Sequence, residues 1–372
     1  MFQRNYKLEC LDNIENVERF SEEWRYLVNN SSANWIFSLP EWCIAWYKSL
    51  GQGGQLRVIT ARNKDGRLTG LAPMWAGPAS WSELKVRKGE FIGGVQADYH
   101  DFIFEKGMEA DVAPVLVEGV LRFMEDVNIL EFLHIPGDSP TYLPIKDYLD
   151  AKGVKIFEKK EVSPYYVMDK SYDAIEKGWR SSHRGDIRRQ KKRLGELGKL
   201  ELRVYIYDND ILNDLEDFFQ VHTEKWHAEG FPAMFRNPGY QDLFKEMIKT
   251  IGVKGGVHFS KLTLDNKAIS YHFGFVYDNR LYWYKPALKK EYENYSPGKI
   301  HISMLMEEAV KHNIKIFDFL IGDEPYKYQW GVKDLVCNTI VIQKGGVMGV
   351  IGYEWLRWGK DKVRNSLKGD SL

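Results

Sequence analysis

The hydrophobic and polar positions of the chain form their clearest pattern between residues 280 and 330. Aromatic residues predict a strand at 281–286, and apolar residues at helical spacing predict a helix at 298–312. A second strand is predicted at 316–320, and a cluster of polar residues follows it. The predicted unit is therefore a strand, a turn, a helix, a second strand and a polar loop.

The turn before this helix reads Ser296-Pro297-Gly298-Lys299. Ser296 is predicted as the N-cap of the helix and Pro297 as its first helical residue. Gly298 would allow a ligand to approach the backbone closely. Because the first turn of a helix offers unpaired N–H groups and a partial positive charge, the pattern predicts a phosphate site. The alternative is an ordinary helix cap.

The same unit is predicted to occur twice. Asp65-Gly66 and Asp265-Asn266 are hairpin turns, each between two predicted strands. Segments 128–138 and 313–323 agree at five of eleven positions, and each follows a predicted amphipathic helix. We therefore predict an α/β (α+β) chain of two tandem halves, each a mixed β-sheet flanked by helices.

The two predicted domains are residues 1–165 and 166–372, and the second contains a mostly helical insertion at 170–250. In the register of the repeat, Asp111 of the first half lies opposite the predicted phosphate turn of the second half. An acidic residue without a glycine is unsuited to phosphate. The second half is therefore predicted to bind the substrate that carries the phosphate, and the first half to shape the cleft for a second substrate, the acceptor.

Several stretches of the chain match a known family. They are Ser296-Pro297-Gly298, Asp318-Phe319-Leu320-x-Gly322-Asp323-Glu324-x-Tyr326-Lys327-x-x-Trp330, Ser182-x-Arg184-x-Asp186-Ile187-Arg188-Arg189 and His222-x-x-x-Trp226. The chain resembles the GNAT-fold acyltransferases of the CelD/BcsL (cellulose-biosynthesis) type, which are related in fold to the FemAB peptidoglycan transferases. The resemblance implies two GNAT-like halves, acetyl-CoA or another acyl-CoA as donor, and often a cell-surface sugar as acceptor.

Composition narrows the class of protein. Basic and acidic residues number 52 each, so bulk charge does not indicate a nucleic-acid-binding protein. The three cysteines argue against a disulfide framework or a zinc site, and no metal is predicted. We find no signal peptide and no apolar run of about 20 residues, which predicts a cytoplasmic protein. The tail at 347–368 is predicted to be a docked helix, with peripheral membrane association as the alternative.

Acyl transfer from a thioester requires a held donor, a base for the acceptor and a hydrogen-bond donor for the oxyanion. The chain lacks G-x-S-x-G, H-E-x-x-H, C-x-x-C, Walker A and G-x-G-x-x-G motifs, which argues against hydrolases, metalloenzymes, kinases and Rossmann enzymes. The candidate catalytic residues are Glu324, Asp318, Tyr326, Lys327 and His222. Glu324 is predicted as base with Asp318 orienting it, and Tyr326 as acid for the leaving thiolate. An ion pair of Asp318 with Lys327 is the structural alternative.

Two further groups are binding candidates. Arg184 and Arg188 share one face of a basic helix, which predicts an anchor for a phosphate of CoA, an anionic glycan, a lipid phosphate or tRNA. A solvated helix face is the alternative. Asp98, Tyr99 and Asp101 lie between two apolar strands and are predicted, with Trp226, to bind a small-molecule or glycan acceptor.

The sequence thus predicts an acyltransferase that moves an acetyl or other acyl group from acyl-CoA to an amine or hydroxyl. A sugar in surface-polysaccharide synthesis is the predicted acceptor. One alternative is a FemAB-like transferase that uses aminoacyl-tRNA. A second alternative is a non-catalytic subunit of a polysaccharide synthase complex.

Overall fold

The computed structural model describes residues 5–79, 86–206, 210–228, 230–254 and 256–344. The tail at 347–368, which carries the predicted terminal helix, lies outside these residues. The chain divides into two compact units. Unit 1 comprises residues 1–47, 51–160 and 338–372, and unit 2 comprises residues 48–50 and 161–337.

Up to residue 151, the part of the chain that the structure describes contains six strands and four α-helices. They are β1 (Tyr6–Leu11), α1 (Ile14–Asn29), α2 (Pro40–Ser49), β2 (Gln55–Asn63), β3 (Leu68–Pro78), β4 (Arg87–Phe91), β5 (Ile103–Phe104), α3 (Glu109–Phe123), β6 (Ile129–Pro136) and α4 (Tyr142–Ala151). Strands β1 to β4 pair antiparallel in chain order, and β5 pairs antiparallel with β3. Strand β6 pairs in parallel with β4, so the sheet of unit 1 is mixed.

The core of unit 1 lies between this sheet and α3. Helix α3 buries Val112, Leu116 and Val120, which recur every four residues and therefore share one face. They join Phe91 and Phe132 of the sheet in one apolar cluster. The helix predicted for this segment is therefore amphipathic, as expected, and its apolar face packs on the sheet.

The remaining elements follow in chain order. They are β7 (Ile156–Val167), α5 (Tyr172–Gly178), α6 (Ser181–Gly195), β8 (Leu200–Ile206), α7 (Asp210–Ala228), α8 (Pro238–Thr250), β9 (Val257–Leu264), β10 (Lys267–Tyr277), β11 (Arg280–Leu288), α9 (Pro297–Lys311), β12 (Ile316–Asp318), α10 (Pro325–Tyr328) and β13 (Lys333–Gln343). The sheet of unit 2 has the order β7-β12-β11-β10-β9-β8. Only β11 and β12 pair in parallel among these neighbours, so this sheet is mixed as well.

Each unit therefore contains a strand, a helix and a strand that is parallel to the first. In unit 1 these are β4, α3 and β6, and in unit 2 they are β11, α9 and β12. The predicted fold class, mixed sheets flanked by helices in two related halves, is confirmed. The predicted turn at Asp265 and Asn266 has φ angles of 46° and 66°, as a tight two-residue hairpin requires.

The stretch predicted to be mostly helical, 170–250, contains the four helices α5, α6, α7 and α8. The prediction missed β8, which pairs antiparallel with β9 at the edge of the sheet. Within the described ranges, no helix is both long enough and apolar enough to cross a membrane.

Candidate functional site

Unit 2 contains a cavity of about 510 Å³, which we call the first cavity. Its walls come from β11, the turn that follows β11, the start of α9, the end of α7 and the segment around α10. The lining residues are Lys225, Ala228, Trp283, Pro286, Leu288, Lys289, Lys290, Glu293, Ser296, Pro297, Gly298, Lys299, Ile302, Tyr326, Gln329 and Trp330. The structure therefore brings the predicted phosphate turn together with Tyr326.

Ser296 does not act as the side-chain N-cap that the sequence predicts. Its backbone is left-handed, with φ 50° and ψ 54°, and its side chain makes no capping hydrogen bond. Such a conformation is costly for a residue with a Cβ atom and is found where the surrounding structure enforces it. Pro297 does occupy the first helical position, as predicted. The Ser296 side chain lies on the wall of the first cavity.

The start of α9 presents backbone donors. Pro297 has no N–H, and the first bond closing the helix runs from the Ile300 N–H to the Ser296 carbonyl at 3.3 Å. The N–H groups of Gly298 and Lys299 therefore precede the helical ladder. A Cβ added to Gly298 would approach the flexible Leu288 side chain at 3.2 Å, and Leu288 lines the cavity too. The glycine thus keeps this part of the cavity open.

The charge on the cavity wall is mostly positive. Four lysines line the cavity against one acidic residue, Glu293. The lysines are Lys225, Lys289, Lys290 and Lys299. Lys299 donates to Asp186 on α6 with a distance of 2.6 Å from Nζ to Oδ2. A wall of this charge beside a helix N-terminus favours an anionic ligand.

A row of buried rings supports the cavity wall at Trp283. The Trp283 ring stacks on His272 with centroids 4.2 Å apart and planes 14° apart. His301 lies edge-on to the same indole, and its two ring nitrogens contact the hydroxyls of Ser260 at 2.9 Å and Ser270 at 2.8 Å. Burial lowers the pKa of His301 to about 3. The imidazole is therefore neutral at pH 7 and serves as a fixed part of the wall.

Tyr326, the predicted acid, lies on the cavity wall and is 38 % exposed. Desolvation of its hydroxyl raises the pKa of Tyr326, and the nearby Glu324 carboxylate raises it further. The hydroxyl therefore holds its proton at neutral pH. A protonated phenol in this position can donate to a developing thiolate.

Asp318 is fully buried at the end of an apolar strand. A carboxylate in such a place must be paired. Its partner is Arg280, with 2.6 Å between Nη1 and Oδ2, and its Oδ1 accepts from the Leu320 N–H at 2.8 Å. The ion pair with Lys327 considered from the sequence is therefore wrong. The partner lies 38 positions away on the neighbouring strand β11, which local sequence does not reveal.

Lys327 organises the loop after β12 and is only 3 % exposed. Its ammonium donates to the carbonyls of Leu320 at 2.9 Å, Ile321 at 3.1 Å and Gly322 at 3.1 Å. The Glu324 carboxylate lies 2.9 Å from the same nitrogen. The loop contains two left-handed residues, Leu320 and Gly322, with φ angles of 63° and 123°. Lys327 therefore holds a strained loop in place.

Glu324 lies over Gly322, where an added Cβ atom would come within 2.4 Å of the carboxylate. The carboxylate thus packs against the loop that Lys327 fixes, and Glu324 does not line the first cavity. Its role as the general base stays a prediction.

Arg184 and Arg188 both bind α5. Arg184 Nη1 donates to the carbonyls of Glu176, Lys177 and Trp179, at 3.1 to 3.4 Å, and thereby caps the end of that helix. Arg188 makes two hydrogen bonds to the Glu176 carboxylate, at 2.8 and 3.3 Å. Neither arginine lines the first cavity. Their predicted contact with a CoA phosphate stays a prediction.

His222 and Trp226 share one face of α7, as their spacing predicts. The Trp226 indole N–H donates to His222 Nε2 at 3.0 Å. Burial lowers the pKa of His222 to about 3, and the charges of Lys285 and Lys225 lower it further. The pair is one internal contact of α7, and neither side chain lines the first cavity.

The predicted acceptor residues of the first half lie in unit 1. Tyr99 is fully buried, with its ring 4.7 Å from that of Trp35. Asp101 is buried as well and accepts hydrogen bonds from Ser139, at 2.6 Å, and from Thr141. Burial raises the pKa of Asp101 to about 7. Tyr99 and Asp101 thus make internal contacts, and the acceptor role of this loop, Asp98 included, stays a prediction.

Several residues of the first cavity are not among the predicted site residues. Trp283 was read only as part of an aromatic strand, and Lys289, Lys290, Glu293 and Gln329 were not singled out. The paired lysines between strand β11 and the phosphate turn were the available signal. Cations at the entrance to a helix N-terminus suit the same anion as the helix.

Sequence comparison identifies a family for part of the chain. Residues 181–328 match the family described as an acetyltransferase (GNAT) domain. This range contains all the residues that line the first cavity except Gln329 and Trp330. No curated protein matches the chain by sequence.

Three similar solved structures share the fold at low sequence identity. FemX is 13 % identical in sequence and superposes with a TM-score of 0.62. The alignment covers 87 % of this chain and 96 % of the FemX chain. A tandem GNAT protein from the clavulanic acid biosynthesis pathway is 10 % identical with a TM-score of 0.53, covering 91 % and 99 %. L-PGS from Bacillus licheniformis is 10 % identical with a TM-score of 0.54, covering 91 % and 94 %.

The matched range, the two mixed sheets and the first cavity agree with one another. The parallel strands β11 and β12, with α9 between them, lie inside the matched range. Residues 181–328 therefore match an acetyltransferase (GNAT) domain, and the chain has a mixed α/β, GNAT-like fold that is similar to those of FemX and a tandem GNAT protein.

Proposed function

We propose that unit 2 transfers an acyl group, such as acetyl, from acyl-CoA to an amine or hydroxyl of a sugar. The observation that carries this proposal is the first cavity itself. It combines the start of α9, four lysines and the Tyr326 hydroxyl in about 510 Å³. The match to an acetyltransferase (GNAT) domain supports an acyl-CoA as the donor.

The cavity suits both chemical parts of acyl-CoA. The N–H groups of Gly298 and Lys299, with the lysines around them, would bind the pyrophosphate. Trp283, Leu288 and Ile302 offer an apolar wall for the uncharged arm that carries the thioester. The corresponding helix of unit 1, α3, has two acidic residues in its first turn, whereas α9 has none. This difference supports donor binding in unit 2.

The reaction needs no covalent intermediate. The acceptor oxygen or nitrogen would attack the thioester carbonyl, a new C–O or C–N bond would form, and the C–S bond would break. Tyr326 would donate its proton to the departing thiolate, because the phenol is protonated at neutral pH and lies on the wall of the same cavity. Glu324 is the base predicted from the sequence.

The sugar acceptor and a place in surface-polysaccharide synthesis rest on the resemblance to the CelD/BcsL type. The fold likeness to FemX supports a second candidate, a FemAB-like transferase whose donor is aminoacyl-tRNA. The lysine-rich cavity suits the phosphate of either donor.

Binding and turnover measurements distinguish these functions. Acetyl-CoA, CoA and a charged tRNA would each be titrated against the protein by calorimetry. Thiol release from acetyl-CoA would then be followed with glucose, glucosamine and galactosamine as acceptors. We expect acetyl-CoA to bind and to raise the melting temperature, since a ligand that binds only the native state stabilises it. Binding of charged tRNA alone would favour the second candidate. No binding and no thiol release would support a non-catalytic subunit.

A further inference from the structure

A second cavity of about 370 Å³ lies next to the first and also belongs to unit 2. Its walls come from the start of α6, the start of α9 and the segment around α10. The lining residues are Arg180, Ser182, His183, Asp186, Lys299, Pro325, Tyr328 and Gln329. Lys299 and Gln329 line both cavities, so the two spaces share a wall.

His183 is the unusual residue of this cavity. Its side chain is 6 % exposed and lies edge-on to Trp330, with ring centroids 4.6 Å apart, and to Trp179 at 5.8 Å. Within the described part of the chain, neither ring nitrogen makes a hydrogen bond of good geometry, and the Gln329 side chain makes only a looser contact that raises the pKa of His183. A buried polar group without a partner is costly, and native proteins keep few of them. A ligand in the second cavity would supply the missing partner.

The wall chemistry indicates the class of ligand. A hydroxyl, an amide, a phenol and a carboxylate face the space, from Ser182, Gln329, Tyr328 and Asp186. Both signs of charge are present, since Arg180 and Lys299 stand against Asp186. A wall with both signs of charge does not select a simple anion. Among the lining residues only Pro325 is aliphatic, which is too little apolar surface to bind a lipid chain. The wall suits a ligand with many hydroxyl groups.

We propose that the second cavity binds a polyhydroxylated acceptor, such as a hexose or amino sugar, and that His183 takes the proton from its attacking hydroxyl or amine. The inference rests on the proposed function, with the donor in the adjacent first cavity. The acceptor atom forms a bond to the thioester carbon, the C–S bond breaks, and the acceptor proton passes to a His183 ring nitrogen. Tyr326 gives its proton to the thiolate, and both residues then exchange protons with water.

The electrostatics of His183 are compatible with a base. Burial lowers the pKa of His183, and the Lys299 charge lowers it further, while Asp186 and the Gln329 side chain oppose the fall. The imidazole is therefore neutral at pH 7 and able to accept a proton.

The first test measures acceptor binding without any donor. Glucose, glucosamine and galactosamine would be titrated by saturation-transfer NMR against the wild type, Ser182→Ala and His183→Asn. We expect at least one sugar to bind the wild type and both variants to weaken that binding about 5-fold or more, as loss of one hydrogen bond does. Absence of binding by all three sugars, or equal binding by the variants, would overturn the subsite. This result does not depend on acetyl-CoA, so it is separable from failure of the donor proposal.

The second test measures turnover with the sugar that binds. His183→Asn should lower kcat about 10²–10⁴-fold and leave the affinity for acetyl-CoA within 2-fold to 3-fold of the wild type. His312→Asn is the matched control, because His312 is exposed and pairs with Glu308 on the surface of unit 2. A loss confined to Glu324→Gln, with His183→Asn fully active, would overturn the assignment and restore the base predicted from the sequence. If His183→Asn does not fold, the acceptor KM of Ser182→Ala decides, and an unchanged KM would refute the subsite.

Discussion

The buried ammonium of Lys327 provides the sharpest test of what the loop after β12 does. Lys327→Met keeps the length of the side chain and removes its charge and its donors. Three carbonyls within 3.1 Å and the Glu324 carboxylate would lose their partner. Removal of one partner from a buried charged network costs about 3–5 kcal/mol. The strained residues Leu320 and Gly322 would then lose the contact that holds them.

This free energy converts into a measurable shift. For a unit of about 150–250 residues, 1 kcal/mol lowers the melting temperature by about 2–4 °C. Lys327→Met should therefore lower the melting temperature of unit 2 by roughly 6–20 °C in differential scanning calorimetry. The matched control is Lys311→Met, because Lys311 is 60 % exposed and pairs on the surface with Glu307 and Glu308. Its effect should stay within about 1 kcal/mol.

If Lys327→Met melts within 2 °C of the wild type while turnover falls about 100-fold, the ammonium acts in the reaction. The catalytic role predicted from the sequence would then be right, and the structural role wrong.

Three further predictions concern the donor turn, the basic helix and unit 1. Gly298→Val should weaken CoA binding by about 1–3 kcal/mol in calorimetry, because its side chain would reach Leu288 and narrow the place where a phosphate meets the backbone. Ala at both Arg184 and Arg188 should lower the melting temperature through lost contacts to α5, and should weaken CoA binding and reduce its salt dependence, as the predicted phosphate anchor requires. Burial raises the pKa of Asp101 from 3.8 to about 7, so folding takes up a proton there and the stability of unit 1 should fall as pH rises from 4 to 7. In Asp101→Asn that fall should disappear, as measured by melting temperature against pH.

Each of these predictions has a contrary outcome. Gly185→Ala is the control for Gly298, because a Cβ there meets nothing within 4 Å. Equal CoA affinity of folded Gly298→Val and the wild type would remove the donor site from α9. Unchanged affinity and salt dependence of CoA binding in the double arginine variant would limit the two arginines to their contacts with α5. A melting temperature of Asp101→Asn that still falls between pH 4 and 7 would assign the proton uptake to another group.

Local sequence patterns predict much of the secondary structure. Helix α9 was predicted at 298–312 and spans Pro297–Lys311, because its apolar period and the Ser-Pro-Gly turn are both local signals. Strand β12 was predicted at 316–320 and ends at Asp318. The strand does not continue because Leu320 has a left-handed backbone, with φ 63°, and its N–H donates to the Asp318 carboxylate. Such a contact is set by the folded loop and leaves no periodic trace.

The candidate site was predictable in part. The donor turn and Tyr326 could be named because glycine, proline and aromatic residues at a helix start have direct chemical meaning. The partner of Asp318 could not, since Arg280 comes from a different strand. The role of His183 could not be predicted either, because its burial between Trp179 and Trp330 depends on how α5, α6 and α10 pack. Spacing along a chain does not specify such a pocket.

The bond between Lys299 and Asp186 has a consequence for the order of events at the site. Lys299 lines both cavities, so an anion that binds it in the first cavity must compete with the Asp186 carboxylate. Asp186 also binds Arg189, at 2.5 Å, and therefore keeps a cation when Lys299 is taken. Occupancy of one cavity thus changes the charge of the other without leaving a carboxylate unpaired. By thermodynamic linkage the influence is mutual, and a ligand in either cavity alters the affinity of the other by the same factor.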